Sequence, residues 1–351
     1  MIMKDILPIV MNRNFEKLAV IDDYSSLIWS SRYYACGDFE ICVPVNLENI
    51  DLFQHGNYVL REDDEHVGIV EKIMIQKNED GKEQLVVSGR FLSSILGRRI
   101  ISRQTQINAT LANGINALLS NEIINPQNSA RQVSNLTFES LLSRTDQLTA
   151  QYTGQNLLTT IEEICLTYGI GFKTVLTEDN QFIFQLYEGV DRSYNQSVNP
   201  YVVFSDEYDN LLSSEYLESY QNIATDVLVA GEGEGIDRKM LWVTNDNERG
   251  LDRYEFFKDR RDLQTNDGQI SDDEYQKQLK EAGEECLTKY TVAFTGTVYF
   301  NNIDYRTDVN VGDICTIEND KWGLSINSRL VEVIESVNEA GEYSIIPTFG
   351  I

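Results

Sequence analysis

At 351 residues the chain exceeds the length one hydrophobic core usually serves, so about two to four domains are expected. Hydrophobic residues make up 42% and charged residues 24%, the balance of a folded protein and not of a disordered one. The formal net charge of −27, from 56 acidic against 29 basic residues, repels phosphate backbones and anionic lipid, which disfavours a general nucleic-acid binder or a membrane-surface protein.

Residues 1 to about 105 read as β. Val20, Leu27, Ile28, Trp29, Tyr33 and Tyr34 fall in short apolar or alternating runs. Gly37-Asp38 makes a turn before the alternating Phe39-Glu40-Ile41-Cys42-Val43, and Pro44, with no N–H to give, stops the ladder. Val67 to Ile75 and Leu85 to Ser88 flank Asn78-Glu79-Asp80-Gly81, and Asp-Gly is a strong hairpin signal. Several short strands in this span suggest a small barrel or sandwich.

The middle third changes period. Leu111, Ile115, Leu118, Leu119 and Ile123 have helical spacing, ended by Pro126. Leu157, Leu158, Ile161, Ile164, Cys165 and Tyr168 make a second amphipathic helix, with Gly169 in the position that closes such helices. A hairpin, Phe172 to Leu176 and Phe182 to Tyr187, follows around Glu178-Asp179-Asn180. The last third returns to β. Ala224 to Ala230 and Lys239 to Thr244 flank a glycine-rich loop, and Ser271-Asp272-Asp273-Glu274 is a capping box opening a helix with Tyr275, Leu279, Ala282 and Cys286 on one face. From Thr291 to Thr348, strands are broken at Asn301-Asn302, Val311-Gly312-Asp313 and Ala340-Gly341.

The chemistry offered by these residues is sparse. Cys36, Cys42, Cys165, Cys286 and Cys315 are odd in number and widely spaced, as idle thiols in a reducing compartment are. Ile6 to Met11 is too short for a signal-peptide core, and no run nears the ~20 apolar residues of a membrane span. Synthesis and assembly in a cytoplasm are expected, and the sequons at Asn108, Asn135 and Asn195 are chance matches. His55 and His66 lie outside any HExxH or cysteine cluster and read as surface or turn residues, so neither zinc nor a histidine-dependent hydrolase is expected. Gly231-Glu232-Gly233-Glu234-Gly235 has two acids and leads into a strand, which suits a left-handed hairpin loop better than a phosphate cradle. Asn245 to Gly250 begins like a calcium loop but has Phe256 where the bidentate glutamate belongs, so it reads as a polar turn. No cofactor and no metal are expected.

One charge feature is selective. From Gln84 to Asn121 there is no Asp or Glu, while Arg90, Arg98, Arg99 and Arg103 cluster. These arginines are either solvated or paired within the chain, or they form a contact with an acidic patch of a neighbouring subunit, for which arginine is suited.

Three ordered segments carry a family resemblance: Trp29 to Pro44; Val67 to Ile73 with the Asp-Gly hairpin and Gly89 to Ile101; and Val311 to Ile317, Arg329 to Glu332 and Pro347-Thr348-Phe349-Gly350. Together they resemble the phage tail-tip, or baseplate hub, proteins, called tail-associated lysins when an enzymatic domain follows. A glycine-rich loop followed by Asp-Arg recurs at this place in that family, as Asp237-Arg238 does here. The resemblance implies a homotrimeric ring around a channel, built from two barrel-like domains per subunit. The implied partners are the distal tail protein, the tape measure protein and receptor-binding or fibre proteins, with DNA passing through the channel without specific binding. The expected fold class is α+β, predominantly β. The expected domains are 1–105, a barrel-like hub domain; 106–200, an α+β unit; and 201–351, a second barrel-like domain with a helical insertion near 271–290. The chain stops at Ile351, where lytic members carry an extension, so a non-enzymatic structural component of a virion tail tip is expected. A carbohydrate-binding or adhesin module, or a carboxylate-based cell-wall glycoside hydrolase, is the alternative.

Overall fold

Strand Ser26–Arg32 alternates so that Leu27 and Trp29 point inward, and strand Asp38–Pro44 does the same with Phe39, Ile41 and Val43. The two pair antiparallel, Trp29 facing Phe39 and Leu27 facing Ile41, and Glu83–Arg90 continues the row with Val87 and Leu85. Inward-facing apolar side chains thus line up across neighbouring strands, which fixes the register. A computed structural model describes residues 6–77, 81–221, 223–245, 249–266, 268–288, 291–298 and 303–350.

These strands belong to a ten-stranded sheet. Its main path runs Leu211–Ser219, Thr291–Val298, Tyr343–Gly350, Leu324–Val337, Ser26–Arg32, Asp38–Pro44, Glu83–Arg90 and Lys72–Lys77; Ile314–Asn319 and Val203–Ser205 branch from it. The N-terminal and C-terminal segments therefore share one sheet, joined where Leu324–Val337 pairs with Ser26–Arg32. A seven-stranded sheet joins Leu136–Ser140, Phe182–Tyr187, Gly171–Leu176, Asp64–Ile69, Tyr58–Arg61, Ile9–Met11 and Lys17–Val20. The chain is mostly β, in several sheets, as its sequence indicates.

The stretch read as one strand from Val67 to Ile75 is two strands. Asp64–Ile69 lies in the seven-stranded sheet, Lys72–Lys77 in the ten-stranded one, and the chain turns the corner at Val70-Glu71. Lys72–Lys77 does form a hairpin with Glu83–Arg90, though its turn residues Asn78, Glu79 and Asp80 lie outside the described residues. Gly89 is required at this corner, because a Cβ there would sit 1.7 Å from the Ile69 carbonyl oxygen.

Four α-helices are described: α1 (Leu47–Leu52), α2 (Leu111–Leu119), α3 (Leu157–Tyr168) and α4 (Asp272–Glu284). α2 buries Leu111, Ile115, Leu118 and Leu119 and runs on into a wider turn, Ser120–Ile124, before Pro126. α3 starts at Asn156, whose side chain accepts from the Leu158 and Thr159 N–H groups. It ends at Gly169, whose φ of 65° makes it the left-handed cap expected. Ser271 caps α4 by accepting from the Glu274 N–H at 3.3 Å, while the Glu274 carboxylate accepts from Gln106. No helix among the described residues is long and apolar enough to cross a membrane.

Buried side chains gather in three cores. The largest draws on residues from Ile6 to Leu186 plus Val337, and so spans both the first β segment and the α+β segment. The second, from Tyr33 and Val202 to Phe349, lies among the C-terminal strands. The third belongs to a small unit, residues 224–288, in which strands Met240–Thr244, Asp226–Ala230 and Glu255–Asp259 form a sheet backed by α4. In its glycine-rich loop Gly233 and Gly235 take left-handed backbone, the role expected of them. Of the calcium-like turn, Asp246, Asn247 and Glu248 lie outside the described residues, as do Asn301 and Asn302.

Candidate assembly surface

Arg90 ends strand Glu83–Arg90, and Arg98 ends the tight turn Leu92–Arg98, whose Leu92, Ile95 and Leu96 are buried in the main core. The core thus anchors the turn and leaves the arginines at its rim. Arg90 grips Glu71 with two hydrogen bonds, at 2.8 and 3.0 Å, and Arg98 approaches the same carboxylate at 3.4 Å. Burial works against the Glu71 anion, yet Arg90 first and then Arg98 hold its carboxyl below the usual range.

Arg99 differs. Among the described residues its guanidinium donates only to main-chain carbonyls, those of Arg131 and Arg98, each at 3.0 Å. Partial burial and the like charges of Arg131 and Arg98 lower its pKa. Arg103 is exposed and makes no ion pair among the described residues. Sequence reasoning missed Arg131. With Arg98 and Arg99 it lines an open depression of about 310 Å³. Arg131 holds the buried Glu122 carboxylate at 2.6 Å, and Glu122 also accepts from the Ser102 N–H and hydroxyl. A signal for it was present, since residues 123–138 also lack acids. Arg98, Arg99 and Arg131 thus come together at this depression, Arg90 joins them through the shared Glu71 carboxylate, and Glu122 is held by Arg131. Such a surface can take further carboxylates.

A second depression, about 690 Å³, lies between the sheets beside a buried ionic junction. There Arg61 meets Glu335 at 3.0 Å and Asp63 at 2.7 Å, while Arg306 bridges Asp64 and Glu335. Trp29 donates its indole N–H to Asp64, and Tyr343 its hydroxyl to Glu335. His66 does not follow the expectation of a surface or turn residue. It is half-buried in strand Asp64–Ile69, with Nδ1 2.7 Å from Asp64 Oδ1 and its ring stacked on Phe91 at 4.9 Å. What covers it is contact from elsewhere in the fold, the Phe91 ring on its face and the Asp64 carboxylate at Nδ1, and neither is visible in the spacing of the strand. His55 is exposed in a turn. The chemistry of this junction is structural, because Asp64 and Glu335 are each engaged by guanidinium groups. Among the described residues no group of three or more His, Cys, Asp or Glu side chains is placed to hold a metal. All five cysteines are free, four of them buried.

A family profile described as Siphovirus ReqiPepy6 Gp37-like protein matches residues 7–351. No curated protein matches the chain. Among solved structures, the fold is similar to a tail protein from Neisseria meningitidis MC58, with a TM-score of 0.60 and 13% identity, over 99% of this chain and 97% of that one. It is also similar to the 43 kDa tail protein of prophage MuSo2 from Shewanella oneidensis, with a TM-score of 0.56 and 11% identity over 98% and 97% of the two chains. Prophage tail protein gp18 from Listeria monocytogenes EGD-e gives a TM-score of 0.55 and 11% identity over 98% and 94%. At such identities the likeness is one of fold, and it runs the length of the chain. With the profile match spanning nearly every residue, the chain belongs to the Siphovirus ReqiPepy6 Gp37-like protein family.

Proposed function

We propose that this chain is a structural component of a phage or prophage-derived tail, and that it forms a homotrimeric hub ring at the tail tip. The observation that carries this reading is the whole-chain match of fold to three tail proteins, joined to the family assignment. On this reading segments 1–105 and 201–351, whose strands share the ten-stranded sheet, supply the ring, and 106–200, packed on the first segment, is carried on it. The distal tail protein, the tape measure protein and receptor-binding or fibre proteins are the partners. The net charge of −27 supports a conduit whose walls repel DNA. The protein works by assembly without turnover, in the host cytoplasm first and then in the virion.

The arginine surface is the subunit contact on this reading. Arg99, Arg103 and Arg98 meet carboxylates of the next subunit, where desolvation makes guanidinium pairing specific. Light scattering on the purified protein, followed by negative-stain imaging of the same peak, tests the ring. A trimer mass with ring-shaped particles is expected; a monomer that is also missing from purified tails overturns the reading. Arg98→Glu with Arg99→Glu is expected to weaken assembly by about tenfold or more, since breaking desolvated charge pairs costs about 2–5 kcal/mol. Unchanged assembly removes the arginine contact and leaves the hub reading standing. A zymogram on purified cell wall is expected to show no clearing.

A further inference from the structure

We propose that residues 224–288 form a hinged flap, held closed against the body of the molecule by a proton-dependent latch made of Glu281 and Glu285. The unit has its own core, in which Val227, Val229 and Val243 pack on Tyr275, Leu279 and Ala282 of α4. That core does not merge with the main one. The chain enters and leaves the unit at one point, where Ala224 and Thr288 exchange a reciprocal pair of backbone hydrogen bonds at 3.0 Å. One antiparallel bridge between two strands is a hinge.

What closes the flap is polar. Tyr168 of α3 donates its hydroxyl to Glu281, and Tyr152 donates to Glu285 at 2.8 Å. Gln155 donates to Asp262 at 2.9 Å, the Gln264 N–H to Gln151 at 3.1 Å, and Arg260 to the Gln151 carbonyl. The contact is also incompletely satisfied. Both amide atoms of Gln278, the Gln151 amide nitrogen and one Glu285 oxygen are buried without a hydrogen-bond partner among the described residues. Unpaired buried polar groups are penalised, and opening the flap to water relieves them. A joint made through side-chain hydrogen bonds, with orphaned polar atoms within it, is poised to open.

The two carboxyls give the joint its dependence on protons. Burial pushes Glu281 up to about 7; the Tyr168 hydroxyl opposes this, Glu285 and Glu284 add to it, and Lys280 opposes it. Burial likewise raises Glu285, against Arg260 and Tyr152, with Glu163 of α3 adding and Lys258 opposing. Raised carboxyls bind protons better in the closed state than in the open one. Closure is therefore strongest below the ordinary carboxylate range and weakens as pH rises through about 7. Opening uncovers Tyr152 and Gln151 on strand Gln147–Tyr152.

Hydrogen exchange of the full chain between about pH 5.5 and 8.5, with rates corrected for base catalysis, tests the latch. Protection in α4 and in Gln147–Tyr152 is expected to fall by about tenfold or more across that range relative to strand Ser26–Arg32, because a carboxyl that binds its proton about tenfold more tightly in the closed state favours closure by the same factor. Glu281→Gln with Glu285→Gln is expected to make that protection independent of pH. Uniform protection across the range in the unaltered protein overturns the proposal, and so does a pH dependence that survives the double substitution. Should the double variant fail to fold, Glu281→Gln alone, at a half-exposed position, must flatten the profile; an unchanged profile also overturns it.

Discussion

Two polar joints hold distant parts of this chain together, and they respond to protons in opposite ways. At the junction beside the ten-stranded sheet, Asp64 and Glu335 meet Arg61 and Arg306. At the flap, Glu281 and Glu285 meet the phenols of Tyr168 and Tyr152, and the charge of Glu285 bears on Glu281. Burial disfavours the anion in both places. At the junction it is outweighed, for Asp64 by His66 and then Arg306, and for Glu335 by Arg306 and Arg61, so both carboxyls are held low. At the flap burial prevails, although Arg260 pulls the other way on Glu285. Whether a buried acid is a rivet or a switch depends on what it is paired with, and its depth does not decide the matter.

The comparison breaks most visibly at Arg306. Arg306→Met leaves Asp64 and Glu335 short of a cation, and a loss of about 3–5 kcal/mol is expected in denaturant unfolding. A loss under about 1 kcal/mol would mean that the junction is not the rivet described. Acid comes next. Depressed carboxyls contribute stability that is present above their unfolded pKa of about 4 and drains away as pH falls below it, at up to about 1.4 kcal/mol per pH unit for each group. Thermal unfolding followed from neutral pH downward is therefore expected to lose stability steeply in that window, and Glu335→Gln to make the loss shallower. At the flap, Tyr168→Phe is expected to cost about 1 kcal/mol, read as lost amide protection in α4 with the main core unchanged. The smallest effect belongs to the exposed arginine surface. Glu71→Gln is expected to change stability by about 0–1 kcal/mol, because solvent screens the pair, while freeing Arg90 and Arg98 for a neighbour's carboxylates. Stronger self-association of that variant by light scattering would sharpen the subunit contact; weaker association would break it.

Local structure was legible in the sequence where a short-range rule governs it. The α3 face and its Gly169 cap, the Ser271 cap of α4 and the hairpin Gly171–Leu176 with Phe182–Tyr187 all follow from periodicity and cap chemistry. The pairing of Ser26–Arg32 with Leu324–Val337 was not legible, because register between strands so far apart depends on the whole fold. Nor were the buried and half-buried arginines. Arg61, Arg260 and Arg306 look in sequence like any solvated arginine, and only the assembled sheets surround them. Of the arginine surface, Arg90, Arg98, Arg99 and Arg103 were found through the gap in acids. Arg131 was passed over because Glu122 interrupts that gap, although Glu122 is the residue that fixes Arg131 in place.

The bridge between Ala224 and Thr288 has a consequence for how this architecture can vary. A segment that departs and returns through a single pair of adjacent residues is a port: whatever is threaded through it adds to the surface without rerouting any strand of the framework. Lineages that face different hosts could lengthen, trim or exchange the appendage there while the scaffold kept its register. The boundary of tolerated change in this chain would then run through two hydrogen bonds.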